Sequence, residues 1–401
     1  MQSTPIQPAL IQSTLSQQIA PFHVMELVKQ ADALAQQGHP VVHLSIGEPD
    51  FGTPPPVLEA YCTALAEHKT RYTAALGLMP LREAIAGFYQ SQFGVLVRPE
   101  QIVVTSGASA ALQFACLALL NPGDEVLLTD PGYPCNKTFV QAAGGQPRFV
   151  QTNAANNFQP TAEDLSAAWR PNTRGALLAS PNNPTGTRLS ASQCQAICTA
   201  IAQRGGFLIM DEIYQSLCYG SPARSILQTM GPPDEHNQLV VINSFSKYFG
   251  MTGLRLGWMV VPDYLVEGVE KLAQNLSICP PAPAQWAALA CFDQAALDIC
   301  EARRAEFGQR RDFLLKALPE AGLVVDTTPD SAFYLYVKTP IDSDNYCNRL
   351  LNQHWVCAVP GKDFSINLGH ERMRLSYANS LNNLHQAVER IRAFNTSLGV
   401  A

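Results

Sequence analysis

Leu239-Val240-Val241-Ile242-Asn243-Ser244-Phe245-Ser246-Lys247 is an apolar run that stops in two hydroxyls and an amine. A short apolar run rich in branched residues and bounded by polar ones reads as a buried strand. Three other stretches share the habit. Residues 125–129 run into Asp130-Pro131-Gly132-Tyr133-Pro134, and residues 175–180 into Pro181-Asn182-Asn183-Pro184-Thr185-Gly186. Residues 207–210 run into Asp211-Glu212-Ile213-Tyr214. Amphipathic stretches lie between them, the alternation of a parallel sheet with crossover helices. In open parallel sheets ligands bind outside the carboxyl ends of the strands. The four strand ends are therefore expected to converge on one crevice.

The rest of the chain bounds what that crevice can serve. At 401 residues the chain is too long for one simple core, and about two or three folding units are expected. With 47% hydrophobic and 15% charged residues it reads as a well-buried globule. A net charge of -6 argues against a nucleic-acid surface, which is normally basic. The 11 cysteines form no CxxC pair and read as reduced thiols. Residues 1–18 are polar and Gln/Ser-rich without a basic start or an apolar signal core, and no apolar run approaches the ~20 residues of a membrane span. No membrane association and a cytoplasmic location are the expectation. Apolar residues at helical spacing over 22–37 predict a helix ended by Gly38 and Pro40. Pro280, Pro281 and Pro283 break the chain before a long helical stretch over 285–318, and short strands are expected at 332–337 and 373–377. The expected division is a large unit over 41–283 and a smaller α+β unit built from 1–40 and 284–401.

Three groups carry chemistry. A lysine directly after a buried strand is either a solvated surface residue or an amine placed to form a Schiff base with a carbonyl cofactor. Lys247 is followed by Gly250, Gly253, Arg255 and Gly257, and hydroxyls, glycines and a nearby cation are what a phosphate pocket needs. The sequence at this lysine is not a GxxxxGK[ST] loop. Thr105-Ser106-Gly107-Ala108 follows the apolar residues 102–104 and precedes a helical stretch reaching Leu120. A strand, a small turn and a helix N-terminus make an anion site, although many such turns bind nothing. Asp211, at the end of its strand, is a solvated cap or a charge held for a cationic partner such as a protonated pyridine nitrogen.

Taken together the motifs resemble the fold type I, class I/II pyridoxal-phosphate aminotransferases over nearly the whole chain. The matching pieces begin with His43-Leu44-Ser45-Ile46-Gly47-Glu48-Pro49-Asp50-Phe51, Tyr72-Thr73-Ala74-Ala75-Leu76-Gly77 and Ser106-Gly107-Ala108. The four strand-end motifs follow in order, then Pro360-Gly361 and Arg374-Leu375-Ser376-Tyr377-Ala378. The resemblance implies a large domain with a mostly parallel sheet flanked by helices, a smaller α+β domain, and pyridoxal 5'-phosphate held as a Schiff base on Lys247. It implies that Lys247 also acts as general base and acid at the substrate α-carbon. Asp211 would partner the pyridine nitrogen, Asn183 and Tyr214 the ring 3-oxygen, and Tyr133 would stack on the ring. Ser106, Gly107, Ala108, Ser244, Ser246 and Arg255 would cradle the phosphate. Arg374 would bind the substrate α-carboxylate in preference to its strand neighbour Arg372, and Gly47 would close over the substrate. Tyr72 would reach the phosphate of a neighbouring subunit, which implies a homodimer with shared sites.

The implied activity is transfer of an α-amino group from an amino acid to a 2-oxo acid. Lyases, decarboxylases and ring-forming synthases of the same fold keep the cofactor residues and differ in the bond they break. A ligand-sensing regulator of this fold would need a basic DNA-binding domain ahead of the motifs, and only a short segment precedes Gly47. Two positions depart from the family pattern. Gly253-Leu254-Arg255 stands where Gly-Trp-Arg is common, and Ser331-Ala332-Phe333-Tyr334 where Gly-x-Phe-Tyr is common. No second arginine for a side-chain carboxylate stands out. The eight histidines have no metal-ligand spacing, and no metal is expected.

Overall fold

A computed structural model describes residues 12–19 and 23–400, so Phe22 of the first expected helix and most of the polar start lie outside the described residues. In chain order the strands are β1 (Val42–His43), β2 (Ile102–Thr105), β3 (Glu125–Asp130), β4 (Gln146–Gln151), β5 (Thr173–Ala179) and β6 (Phe207–Asp211). They continue as β7 (Leu239–Ser244), β8 (Gly257–Val260), β9 (Tyr334–Lys338), β10 (Val356–Cys357), β11 (Val359–Pro360) and β12 (Arg372–Ser376).

Seven of them form one sheet in the order β2-β8-β7-β6-β5-β3-β4. Its pairs are parallel except those of β8, which is antiparallel to both neighbours. Apart from the edge strand β4, which is half polar and mostly not buried, the strands are largely apolar because helices cover both faces. Along β7 the side chains alternate as strand geometry requires. Leu239 and Val241 join a cluster with Ile85, Phe88, Ile197 and Ile201, whereas Val240 and Ile242 join one with Leu112, Phe114, Val140 and Val269. The first cluster draws on helices Met79–Phe93 and Ala191–Ala202, the second on Ala108–Leu119, Cys135–Ala142 and Asp263–Leu276. This is the helix-covered, mostly parallel sheet expected from the quoted strand. Among the described residues no helix is long and apolar enough to cross a membrane.

The C-terminal part carries the antiparallel sheet β11-β12-β9 and the parallel pair β1-β10. Here the structure differs from the sequence reading. Val42 and His43, expected at the front of the large unit, pair with Val356 and Cys357. A two-residue strand is too short to announce its partner. The helix expected over 285–318 is two helices, Ala282–Ala288 and Gln294–Glu320, separated by a 3-10 turn at Leu289–Phe292 and an extended Asp293. The apolar pattern runs through the break, and Asp293 ahead of Gln294 is the start signal that periodicity hides. The strand expected from 332 begins at Tyr334, because Ala332 sits in the left-handed region at φ 59.

Candidate active site

Because the sheet is parallel, β3, β5, β6 and β7 deliver their polar ends to one edge, and β2 does the same at Thr105. Antiparallel β8 starts at that edge, so Gly257 pairs with both Ser244 and Thr105 and brings Arg255 alongside. Close approach fixes the residue types. A Cβ on Gly257 would lie 2.7 Å from the Ala108 backbone nitrogen. Gly107, at φ 83, ends the β2 turn, and a Cβ there would lie 2.7 Å from Arg255 Nη2. Helix Ala108–Leu119 therefore begins with its free N–H groups beside a guanidinium, an arrangement suited to an anion.

A cavity of about 600 Å³ opens at this edge. Lys247 and Asp211 enter it from the sheet, and Gly47 and Arg374 from the side of β12. Lys247 Nζ donates to the Gly47 carbonyl at 2.6 Å. Burial, with Arg374 and Arg255 nearby, holds its amine down to about 8, against the pull of Glu48 and Asp211. Asp211 is 4% exposed, and loss of water pushes its carboxyl up to about 7, although Oδ1 accepts from the Ile213 N–H at 3.0 Å. Its neighbour Glu212 is occupied elsewhere. That carboxylate accepts from Ile226 N at 2.6 Å, Gln215 Nε2 at 2.7 Å and Ser225 Oγ at 2.8 Å, tying down the loop after β6.

Arg374 is buried on β12, sandwiched between the rings of Tyr334 at 4.6 Å and Phe364 at 4.7 Å. Its Nη1 donates to Asn183 Oδ1 at 3.1 Å and its Nη2 to the Ser45 carbonyl at 2.5 Å. Its Nε has no partner among the described residues. Arg372 is committed to Asp326, with contacts of 2.9 and 2.5 Å, and does not line the cavity. The Tyr214 hydroxyl lies 2.8 Å from that of Tyr334, and burial raises both phenols. Tyr133, also pushed up by burial, lines the same space.

The cavity thus brings together Gly47, Ala108, Tyr133, Asn183, Asp211, Tyr214, Ser244, Ser246, Lys247, Arg255 and Arg374. Ser106 and Gly107 stand in the adjoining turn and are not among its lining residues. Tyr72 is outside the cavity and 83% exposed. Residues that the sequence reading left without a role also line it. Glu48 and Ile46 flank Gly47 within a motif already quoted, and Tyr334 sits in the variant Ser331–Tyr334 segment. Val24, Met25 and Val28 come from helix His23–Gln36, whose periodicity signals a buried face without saying what the face covers. Chemically, the arrangement offers an anion cradle, a buried acid, a lysine of lowered basicity and a guanidinium, all opening on one space.

Comparison with known proteins agrees with this geometry. Residues 39–391 match the family model for aminotransferase class I and II. A valine–pyruvate aminotransferase of Mycobacterium tuberculosis is 37% identical over 378 residues, covering 93% of this chain and 96% of the relative. An aspartate aminotransferase of Thermotoga maritima is 35% identical with the same coverage of each chain. The crystal structure of an aminotransferase from Mycobacterium tuberculosis superposes with a TM-score of 0.91 at 35% identity, covering 96% of this chain and 100% of that one.

Proposed function

The chain belongs to the class I and II aminotransferases, pyridoxal-phosphate enzymes that exchange an α-amino group between an amino acid and a 2-oxo acid, and on that premise we propose that Lys247 is the residue to which the cofactor is attached. The observation that carries this reading is a shared anchor. Lys247 Nζ and Arg374 Nη2 are both held by carbonyls of one short segment, Gly47 and Ser45. An amine for the α-carbon and a guanidinium for the α-carboxylate are thereby fixed to the same piece of backbone, as an α-amino acid requires.

The residues present fit pyridoxal phosphate. The Cβ-free turn at Gly107 leaves the Arg255 guanidinium open to a phosphate, and Asp211 stands buried where a cationic ring nitrogen would relieve it. When bound, the cofactor supplies a carbonyl for the amine and a protonated ring that draws electrons from the substrate α-carbon.

The protein's own residues do the rest. Ser106, Gly107, Ala108, Ser244, Ser246 and Arg255 would hold the phosphate, with the helix N-terminus behind them. Asn183 and Tyr214 would orient the ring 3-oxygen, and Tyr133 would cover the ring. Asp211, relieved by a positive partner, would stay ionised and would keep a proton on the ring nitrogen. Lys247, with its amine held down to about 8, has a neutral fraction near neutral pH and can take the α-proton on Nζ and return it. Arg374 would offer its unpartnered Nε–H, in the plane of the guanidinium, to the α-carboxylate. Gly47 closes over the substrate.

Tyr72 serves the phosphate of a second copy, making the active form a homodimer; its 83% exposure in the single chain supports that role. The 11 free cysteines suit a reducing compartment, and we place the enzyme in cytoplasmic amino-acid metabolism. We take the cofactor-holding unit to span residues 41–283 apart from Val42–His43, which go with the smaller unit formed by 1–40 and 284–401.

The test is the half-reaction. The holoenzyme given an amino acid without an acceptor should change its visible absorption and release the matching 2-oxo acid. Release of ammonia, thiol or carbon dioxide instead would favour a lyase or decarboxylase of this fold and sink the transfer reading.

A further inference from the structure

We infer that the substrate's side chain is received by an uncharged, apolar wall, so that both amino donor and oxo-acid acceptor carry uncharged, largely apolar side chains. The inference rests on the reading of Arg374 as the α-carboxylate site. Beside Arg374 the structure is apolar. Phe364, stacked on the guanidinium at 4.7 Å, belongs to one cluster with Val24, Phe158, Tyr336 and Val359, and Val28 packs against that cluster. The start of helix His23–Gln36 is fixed there by the Val24 N–H, which donates to Asp363 Oδ2 at 3.0 Å. Val24, Met25 and Val28 reach the cavity from this helix, and Ile46 and Ile213 complete the apolar surface.

One chain offers its cavity, among the described residues, no cation for a second carboxylate. Among the described residues the lysines and arginines lining the cavity are Lys247, Arg255 and Arg374, each with a role in binding cofactor or α-carboxylate. Arg372 and Lys362, outside the cavity lining, are engaged with Asp326 at 2.5 Å and Asp344 at 2.8 Å. The charged group that does remain is Glu48, which accepts from the Thr252 hydroxyl and would repel an anionic side chain. A carboxylate placed against Val24 and Val28 would lose water without gaining a partner. Because one pocket serves donor and acceptor in turn, the exclusion applies to both halves of the reaction.

The holoenzyme should convert leucine or methionine with kcat/KM about 100-fold above that for aspartate or glutamate, the scale on which sites reject a group they leave unpaired. Binding gives a readout independent of turnover. 4-Methylpentanoate should raise the melting temperature more than succinate at equal concentration. Val28→Lys, a change on a half-exposed helix position, should improve aspartate relative to leucine by about tenfold through a new charge pair. Aspartate, glutamate or lysine turning over as well as leucine would overturn the inference, as would stronger stabilisation by succinate. If no amino acid alters the cofactor absorption, the transfer reading fails, and the carboxylate pair still decides what the pocket accepts.

Discussion

Burial acts on Asp211 and Lys247 in opposite directions, since each loses water around its charged form. For Asp211 the carboxyl moves from 3.8 up to about 7. Between those values the folded chain keeps a proton that the unfolded chain has lost, so this group's contribution to stability is greatest below the lower value and declines as pH rises to the upper one. The melting temperature of the cofactor-free protein should therefore carry a downward slope from Asp211 across this window, and Asp211→Asn should flatten it. Identical slopes in the two proteins would locate the proton on another group. For Lys247 the expectation is covalent. Lys247→Ala should still take up pyridoxal phosphate but yield no borohydride-fixed adduct in the mass spectrum, and an adduct of the same mass in the variant would move the attachment point elsewhere.

At the scale of elements, the turn ahead of β9 stores strain. Ala332 is fully buried at φ 59, with its N–H donating to the Leu217 carbonyl at 2.8 Å, so its conformation is set by its neighbours. A residue with a Cβ loses roughly 1 kcal/mol or more in this region compared with glycine. Ala332→Gly should raise the denaturation midpoint by an amount equivalent to about 1 kcal/mol. An unchanged or lower midpoint would mean that the unfolded chain's gain in freedom cancels the relief. The same turn marks the limit of what the sequence discloses. Strands β3, β5, β6 and β7 were legible because apolar runs ending in turn residues have one physical reading, and the sheet edge follows from their being parallel. That Ala108, Ser244, Ser246 and Arg255 share one cavity was legible because small and hydroxyl residues, a helix start and a cation were expected at the same sheet edge. Strand β1 and the break at Leu289–Phe292 were not, because the first is two residues long and the second interrupts no apolar period. The pocket roles of Val24 and Val28 were hidden too: an apolar helix face looks the same whether it covers core or cavity.

At the scale of the whole molecule, the role proposed for the exposed Tyr72 would make the site a property of two chains. If each chain lends this residue to its neighbour, two defective chains should repair each other. Equal amounts of Lys247→Ala and Tyr72→Ala chains, mixed and allowed to reassociate, should form hybrid dimers holding one intact site each and regain about a quarter of the wild-type activity. Activity no higher than that of the Tyr72→Ala protein diluted to the same extent would place both residues in one chain's site.

The segment around Gly47 has a consequence for how the protein is made. Leu44 and Ser45 are held by Ser376 and Arg374, the latter 329 positions later in the chain. During synthesis the strands that carry Asp211 and Lys247 leave the ribosome well before β12 exists. A nascent chain can thus assemble its sheet while the segment above the lysine still waits for its clasp. Ribosome-bound chains stopped before Arg372 should capture the cofactor poorly, and competence should appear abruptly once β12 emerges. If Lys247 and Arg374 act together as proposed, the last strand of the small sheet would set the moment at which the active site comes into being.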